Sequence, residues 1–330
     1  MPSMPGPSTR WAEKVEPDEE QRFARYGELF RQIQEGRAKR WGAGRTLHRK
    51  QLVVAHGSLE VLDGLAPYAK YGLFAEPRDY EVVVRLSNGG LDNAPDRVPD
   101  IRGFAIRVMG VQGLSALGGE ATTQDFTLIN QEAFAFPRAE EFVEFVNAAS
   151  QGNGALFRHV LRRYGVLGAP KRLAGMLKTV ARPFSGFATE KLYSTLPMAN
   201  GPYAVRVRLV PADTNGPSHL GARSDWGGDF CERLRKHPLH WDMQLQYFAN
   251  EKLTPIEDAS VNWPTPYTTV ARLMLPRQDP HCESGVALAR EVEGGVIDPW
   301  RGLAEHRPLG EVQRARKAIY YISQQGRGAT

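Results

Sequence analysis

The sequence predicts an α+β protein built on a closed antiparallel β-barrel, with a helix at each end and a helical insertion between strands. Three observations carry this reading. Apolar residues near both ends recur at the spacing of an amphipathic helix. Between them, seven segments alternate with period two or form short β-branched runs, separated by Gly, Pro, Asn and Asp clusters. One long central stretch returns to helical spacing.

Residues 1–20 are rich in Pro and Ser and contain no apolar h-region, so they read as a disordered leader and not as a signal peptide. The rest, residues 21–330, reads as one barrel domain, with no internal repeat. From Pro17 to Arg40, the residues Phe23, Tyr26, Leu29, Phe30 and Ile33 share one helical face, and Gly42 and Gly44 end the helix. The expected strands are Leu52–Leu62, Tyr80–Leu86, Gly103–Val108, Asp125–Asn130, Tyr203–Val210, Asp242–Phe248 and Thr268–Leu275. Seven or eight antiparallel strands of this kind close into a barrel. A helical insertion covers Arg138 to Lys178, with Phe142, Phe145 and Val146 on one face. A short helix follows at Phe230–Lys236. The last, Gly310 to Gln325, turns Val312, Ala315, Ile319 and Ile322 inward.

Composition excludes several functions. No run of 18 apolar residues is present, so no membrane span is expected. The net charge is +5, but Arg and Lys are spread along the chain with acids between them, unlike the basic stripe of a nucleic-acid binder. A solvated surface with a few buried arginines around an anionic ligand is the simpler reading. Cys231 and Cys282 are too few for a disulfide framework, and neither lies in a C-x-x-C or C-x-x-C-H spacing. Zinc and covalently attached haem are therefore not expected, and a reducing cytoplasm fits best.

Taken alone, His48 before a strand and Tyr320 on a helix read as structural residues. A set of segments in order changes that. Arg45-Thr-Leu-His48-Arg-Lys is followed by Val-Arg85-Leu-Ser87-Asn-Gly, then Asp-Ile-Arg102-Gly-Phe-Ala, then Gln-Asp-Phe-Thr-Leu-Ile-Asn130. Arg316-Lys-Ala-Ile-Tyr320 closes the set, with Arg327 seven residues on. Residues 255–259 (Pro-Ile-Glu-Asp-Ala) and His306-Arg-Pro-Leu-Gly310 also belong to it. The ordered set resembles the haem catalases, and more closely the short catalase-related proteins that lack the C-terminal helical domain.

The resemblance implies an eight-stranded barrel with b-type haem between barrel and helices. It makes Tyr320 the proximal iron ligand and Arg316 the arginine that keeps it anionic. His48 becomes the distal acid/base, Ser87 its orienting partner and Asn130 the distal asparagine. Arg45, Arg85 and Arg327 pair with haem propionates, and Phe136 stacks on the haem. Leu47 stands where catalases carry valine and allene oxide synthases threonine, and its bulk narrows peroxide access. The chain stops ten residues after Tyr320, which implies no wrapping arm, no NADPH site and no tetramer contacts; a homodimer is the assembly expected.

The residue types suit this chemistry. Tyrosinate is a catalase-type axial donor, and an arginine at i−4 adds charge stabilisation to a phenol that must ionise. Buried propionates need paired cations. A neutral imidazole can take a peroxide proton and return it to the departing oxygen. Two rivals stay open on sequence: His56, an even eight residues from His48, and Tyr321, which has Lys317 at i−4. The asparagine register is open by one residue, and Glu132 brings a carboxylate near the distal side. Three functions follow: consumption of H₂O₂ or small organic hydroperoxides, action on fatty-acid hydroperoxides, or non-catalytic haem binding.

Overall fold

Period-two alternation closes a barrel in the computed structural model of the chain, which describes residues 6–216 and 221–329. Strands β1 (Gln51–Val61), β2 (Asp79–Asn88), β3 (Arg102–Leu114) and β4 (Glu120–Ile129) form an antiparallel meander. The two-residue β5 (Leu192–Tyr193) bonds β4 on one side and β7 (Tyr203–Pro211) on the other. Strands β8 (Leu239–Tyr247) and β9 (Tyr267–Leu275) continue the ring, and β9 returns to β1. The short β6 (Met198–Asn200) pairs with β7 alone, outside this eight-membered ring.

The interior is filled by one phase of each strand. Val84 and Leu86, Phe104 and Ile106, Phe126 and Leu128, Met243 and Leu245 are all buried there. Phe104 meets Trp241 edge to face at 5.4 Å between ring centroids, so the barrel is a packed core and not a pore. Each such side chain contributes roughly 1.5–3 kcal/mol of hydrophobic burial.

The opposite phase of β2–β4 faces outward. Register places Arg85, Ala105 and Thr127 in one row, and Ser87, Gly103 and Ile129 in the next. Helices α1 (Glu19–Trp41), α2 (Ala139–Ser150) and α6 (Glu311–Gln325) cover these rows. Their apolar faces share a second core of Phe23, Tyr26, Phe30, Ile33, Val143, Val146, Val312, Ala315 and Ile319. The amphipathic spacing read from the sequence produces that layer.

Some expectations change. The leader assigned to residues 1–20 is not free from residue 8 onward. Ser8 N donates to Phe248 O at 2.9 Å, and Trp11 Nε1 to Pro202 O at 2.8 Å. Glu13 is tied to Arg307 and Arg314; its first five residues lie outside the described ones. The insertion is two helices, with α3 (Asn153–Val180) broken at Gly165. The short helix begins earlier, as α4 (Trp226–Lys236). A further helix, α5 (Glu283–Gly294), was not expected; it buries no residue fully and so leaves no periodic apolar signal.

Candidate functional site

Between the outward rows and the helices lies a cavity with an empty volume of about 1560 Å³, its open mouth included. Eight of the expected site residues line it: Arg45, Leu47, His48, Arg85, Ser87, Arg316, Tyr320 and Arg327. Gly103 and Ala105 lie between Ser87 and Arg85 on one side and Ile129 and Thr127 on the other. Their small side chains leave a flat strip of wall.

His48 precedes β1 in a left-handed turn, with φ +51, a conformation costly for a residue with a side chain. Its backbone is held on both sides. The N–H donates to Gly89 O at 3.0 Å, and the carbonyl accepts from Arg85 Nη2 at 2.9 Å. The turn lays the ring on Gly103, where a Cβ would fall 2.6 Å from His48 Cε1 and 2.7 Å from Ser87 Oγ. Ser87 Oγ engages His48 Nδ1 at 3.0 Å, so proton exchange with a ligand falls to Nε2. Burial, then the charges of Arg85, Arg316 and Arg45, push the imidazole down to about 3. His48 is thus a neutral base. The rival His56 is exposed on β1, where its backbone bonds Gln278, and it does not reach the cavity.

On α6, Arg316 Nη2 donates to Tyr320 Oη at 2.8 Å and to Thr127 Oγ1 at 3.0 Å, while Nη1 reaches Gln313. Tyr321 is 60% exposed, which leaves Tyr320 as the phenol of the site. The helix is set by its N-terminus. Glu257 Oε2 accepts from Glu311 N at 2.7 Å, and Glu13 Oε1 accepts from Gly310 N at 2.8 Å, carboxylates placed where the helix dipole favours them. The segments 255–259 and His306–Gly310 are therefore structural. His306 is buried, accepts from Leu73 N through Nε2 at 2.8 Å, and is pushed down to about 4 by burial.

Arg45, Arg85 and Arg327 converge on the C-terminal end of α5. Arg45 bonds the Glu293 carboxylate at 2.9 Å and the carbonyls of Val292 and Gly295. Arg85 Nη2 also donates to Glu293, and Arg327 to the carbonyls of Glu293 and Gly295. Two of these guanidinium groups, Arg45 and Arg85, share the Glu293 carboxylate, while Arg327 bonds backbone carbonyls alone. Arg327 Nε is buried without a partner. Burial, then the charge of Arg45, pushes both Arg85 and Arg327 down to about 10. Such an excess of buried cations fits a ligand that brings two negative charges.

Two expected residues are not brought to the cavity. Asn130 lies at a bend just past the end of β4 and is not among the lining residues. It is buried, with Oδ1 accepting from Arg102 N at 2.9 Å. Phe136 packs in an aromatic group with Phe142 and Phe145, under the Arg172 guanidinium. Phe134 and Phe142 line the cavity in its place. Glu132 is not on the wall either; its charge acts on Tyr193, Tyr267 and Arg206.

Other lining residues were not singled out from sequence. Thr127 shares the strand phase of Ile129, so alternation could have found it. Asp100 accepts from Gly90 N and Ile101 N, and burial raises its pKa. Thr195, with φ +57, and Gln324, bonded to Asp298, have no local signature.

No family model and no curated protein matches this chain. Solved structures do. A fungal catalase is 17% identical with a TM-score of 0.64, over 86% of this chain and 61% of its own. A bacterial catalase is 15% identical with a TM-score of 0.65, over 99% of this chain and 63% of its own. The chain spans about three fifths of the length of these catalases and has their fold.

Proposed function

We propose that this chain binds b-type haem through Tyr320 and consumes hydrogen peroxide or a small organic hydroperoxide. One observation carries the reading: the Arg316–Tyr320 pair on α6 and the His48–Ser87 pair on the barrel wall line the same cavity. Bound haem iron supplies the redox chemistry of O–O cleavage. The chain supplies the rest. Arg316 donates to the phenolic oxygen and favours its anion. Arg45, Arg85 and Arg327 hold the two propionates. Gly103 leaves room for the His48 imidazole against the wall. His48 Nε2 takes one peroxide proton and returns it to the departing oxygen, which leaves as water or alcohol. The reading gives Asn130 no part in peroxide binding.

The fungal and bacterial catalases named above support this substrate class by their fold. Two free thiols, Cys231 and Cys282, support a reducing, cytoplasmic setting. Among the described residues, no helix is long and apolar enough to cross a membrane. A second reading, action on a fatty-acid hydroperoxide, is favoured by the apolar wall of Leu47, Phe134, Phe142, Val143 and Leu196. Haem titration followed by oxygen release from H₂O₂ tests the first. An epoxide or aldehyde product from a fatty-acid hydroperoxide, without oxygen release, replaces it with the second.

A further inference from the structure

Basic residues are not evenly interleaved with acids along the whole chain. Between Glu144 and Glu190 there is no Asp or Glu, and the segment carries Arg158, Arg162, Arg163, Lys171, Arg172, Lys178 and Arg182. Most of it is α3. Arg163 is held by Glu144 and Glu141, and Arg172 lies 3.8 Å from Glu141. Among the described residues, Arg158, Arg162 and Lys171 have no acidic partner.

The same helix exposes large apolar side chains. Leu167 is 95% exposed, Val166 76% and Phe157 54%. Gly165 adopts φ +69 inside α3, and this left-handed break puts Val166 and Leu167 at the apex of a bend. Phe157, Arg158 and Arg162 fall on one exposed arc of the preceding turns. Behind them, a groove against α1 and α2 is lined by the donors Asn147, Gln151, Arg158, His159 and Arg162 and by one carboxylate, Glu144, which Arg163 neutralises at 2.6 Å.

We infer that α3 docks this protein on an anionic phospholipid membrane surface. Apolar side chains at a bend enter the headgroup boundary, while unpaired arginines face lipid phosphates. A second copy is disfavoured as occupant, because a twofold interface would set Arg158, Arg162 and Lys171, which have no acidic partner among the described residues, against their own copies. Docking leaves α2, whose Phe142 and Val143 line the cavity, beside the membrane. The inference stands independently of the haem reading.

Co-sedimentation of the full chain with phosphatidylcholine vesicles, with and without phosphatidylglycerol, tests it. The wild type is expected to bind the anionic vesicles and to be released by salt. Arg158→Gln with Arg162→Gln weakens partition about fivefold per lost charge. Leu167→Asp abolishes binding with unchanged thermal stability, since the side chain is exposed. Absence of vesicle binding overturns the inference. So does binding that both variants retain, self-association through this face in place of binding, or tighter binding to duplex DNA than to vesicles.

Discussion

Arg316 and Tyr320 lie one helical turn apart, and the guanidinium donates to the phenolic oxygen at 2.8 Å while its Cζ sits 5.0 Å from the ring centroid. Thr127 and Gln313 fix the same guanidinium, so the pair is preorganised before any ligand binds. Tyr320→Phe is expected to remove a ferric tyrosinate absorption signature or haem binding altogether. Tyr321→Phe leaves the spectrum unchanged, because Tyr321 faces solvent. Arg316→Leu retains the fold and shifts the signature. An optical spectrum of each haem-titrated variant decides, and an unaltered Tyr320→Phe spectrum refutes the ligand assignment.

Much of this pair was legible in sequence, since i and i+4 on a helix must meet. The barrel strands and the outer helices were legible for the same reason: period fixes the face. Asn130 lies outside that rule, one residue past the end of β4, and its amide oxygen accepts from Arg102 N. His56 was a rival only if β1 ran unbroken back to His48, and the left-handed turn at His48 ends that phase. No local pattern announces φ +51 at a histidine, φ +57 at Thr195, or a helix such as α5 with no buried face. The role of Glu293 depends on three arginines distant in sequence and was not readable.

The contact between His48 and Gly103 predicts two outcomes. His48→Ala is expected to slow the reaction with peroxide about 100- to 10,000-fold, the usual weight of general acid–base catalysis. His56→Ala leaves it unchanged. Gly103→Ala displaces the imidazole from Ser87 and lowers the rate with little loss of haem. With its pKa pushed down to about 3, His48 stays neutral, so the rate shows no inflection near 6.5. The sign for stability follows. Between 6.5 and 3 the unfolded chain binds the proton that the folded chain refuses, so this group's contribution is lost as pH falls. Stopped-flow rates from pH 4 to 8 check the first claim; a step near 6.5 overturns it.

The arginine cluster predicts a binding phenotype. Arg327→Ala and Arg45→Ala each remove a cation proposed for a propionate. Charge-assisted hydrogen bonds contribute on the order of 1.5–3 kcal/mol, equivalent to roughly ten- to hundredfold faster haem loss. Transfer of haem to an excess of an acceptor globin measures the rate. Full retention in both variants returns these arginines to a purely structural role at the end of α5.

The segment before α1 predicts an acid-sensitive clamp on the tyrosine helix. Glu13 bonds Arg307 at 2.6 Å and Arg314 at 2.7 Å, and Arg314 also bonds Glu19 at 2.7 Å. Burial opposes ionisation of Glu13, but Arg307 and the Gly310 N–H outweigh it and hold the carboxyl below its ordinary value. Arg314 and the Glu16 N–H do the same for Glu19, again against burial. A carboxyl lowered in the folded state stabilises above its unfolded pKa, and that stability is lost as pH falls through the folded value. Glu13→Gln is therefore expected to cost about 2 kcal/mol at pH 7, in the range of one charge-assisted bond. The difference from wild type shrinks as pH falls below about 4.5, where the unfolded chain takes up the proton first, and is lost as pH passes the lower folded value. Thermal unfolding of both proteins at pH 7 and pH 3.5 measures the two gaps. Equal gaps at both pH values would show that the Glu13 charge contributes nothing to holding α6 and would overturn the acid-sensitive clamp.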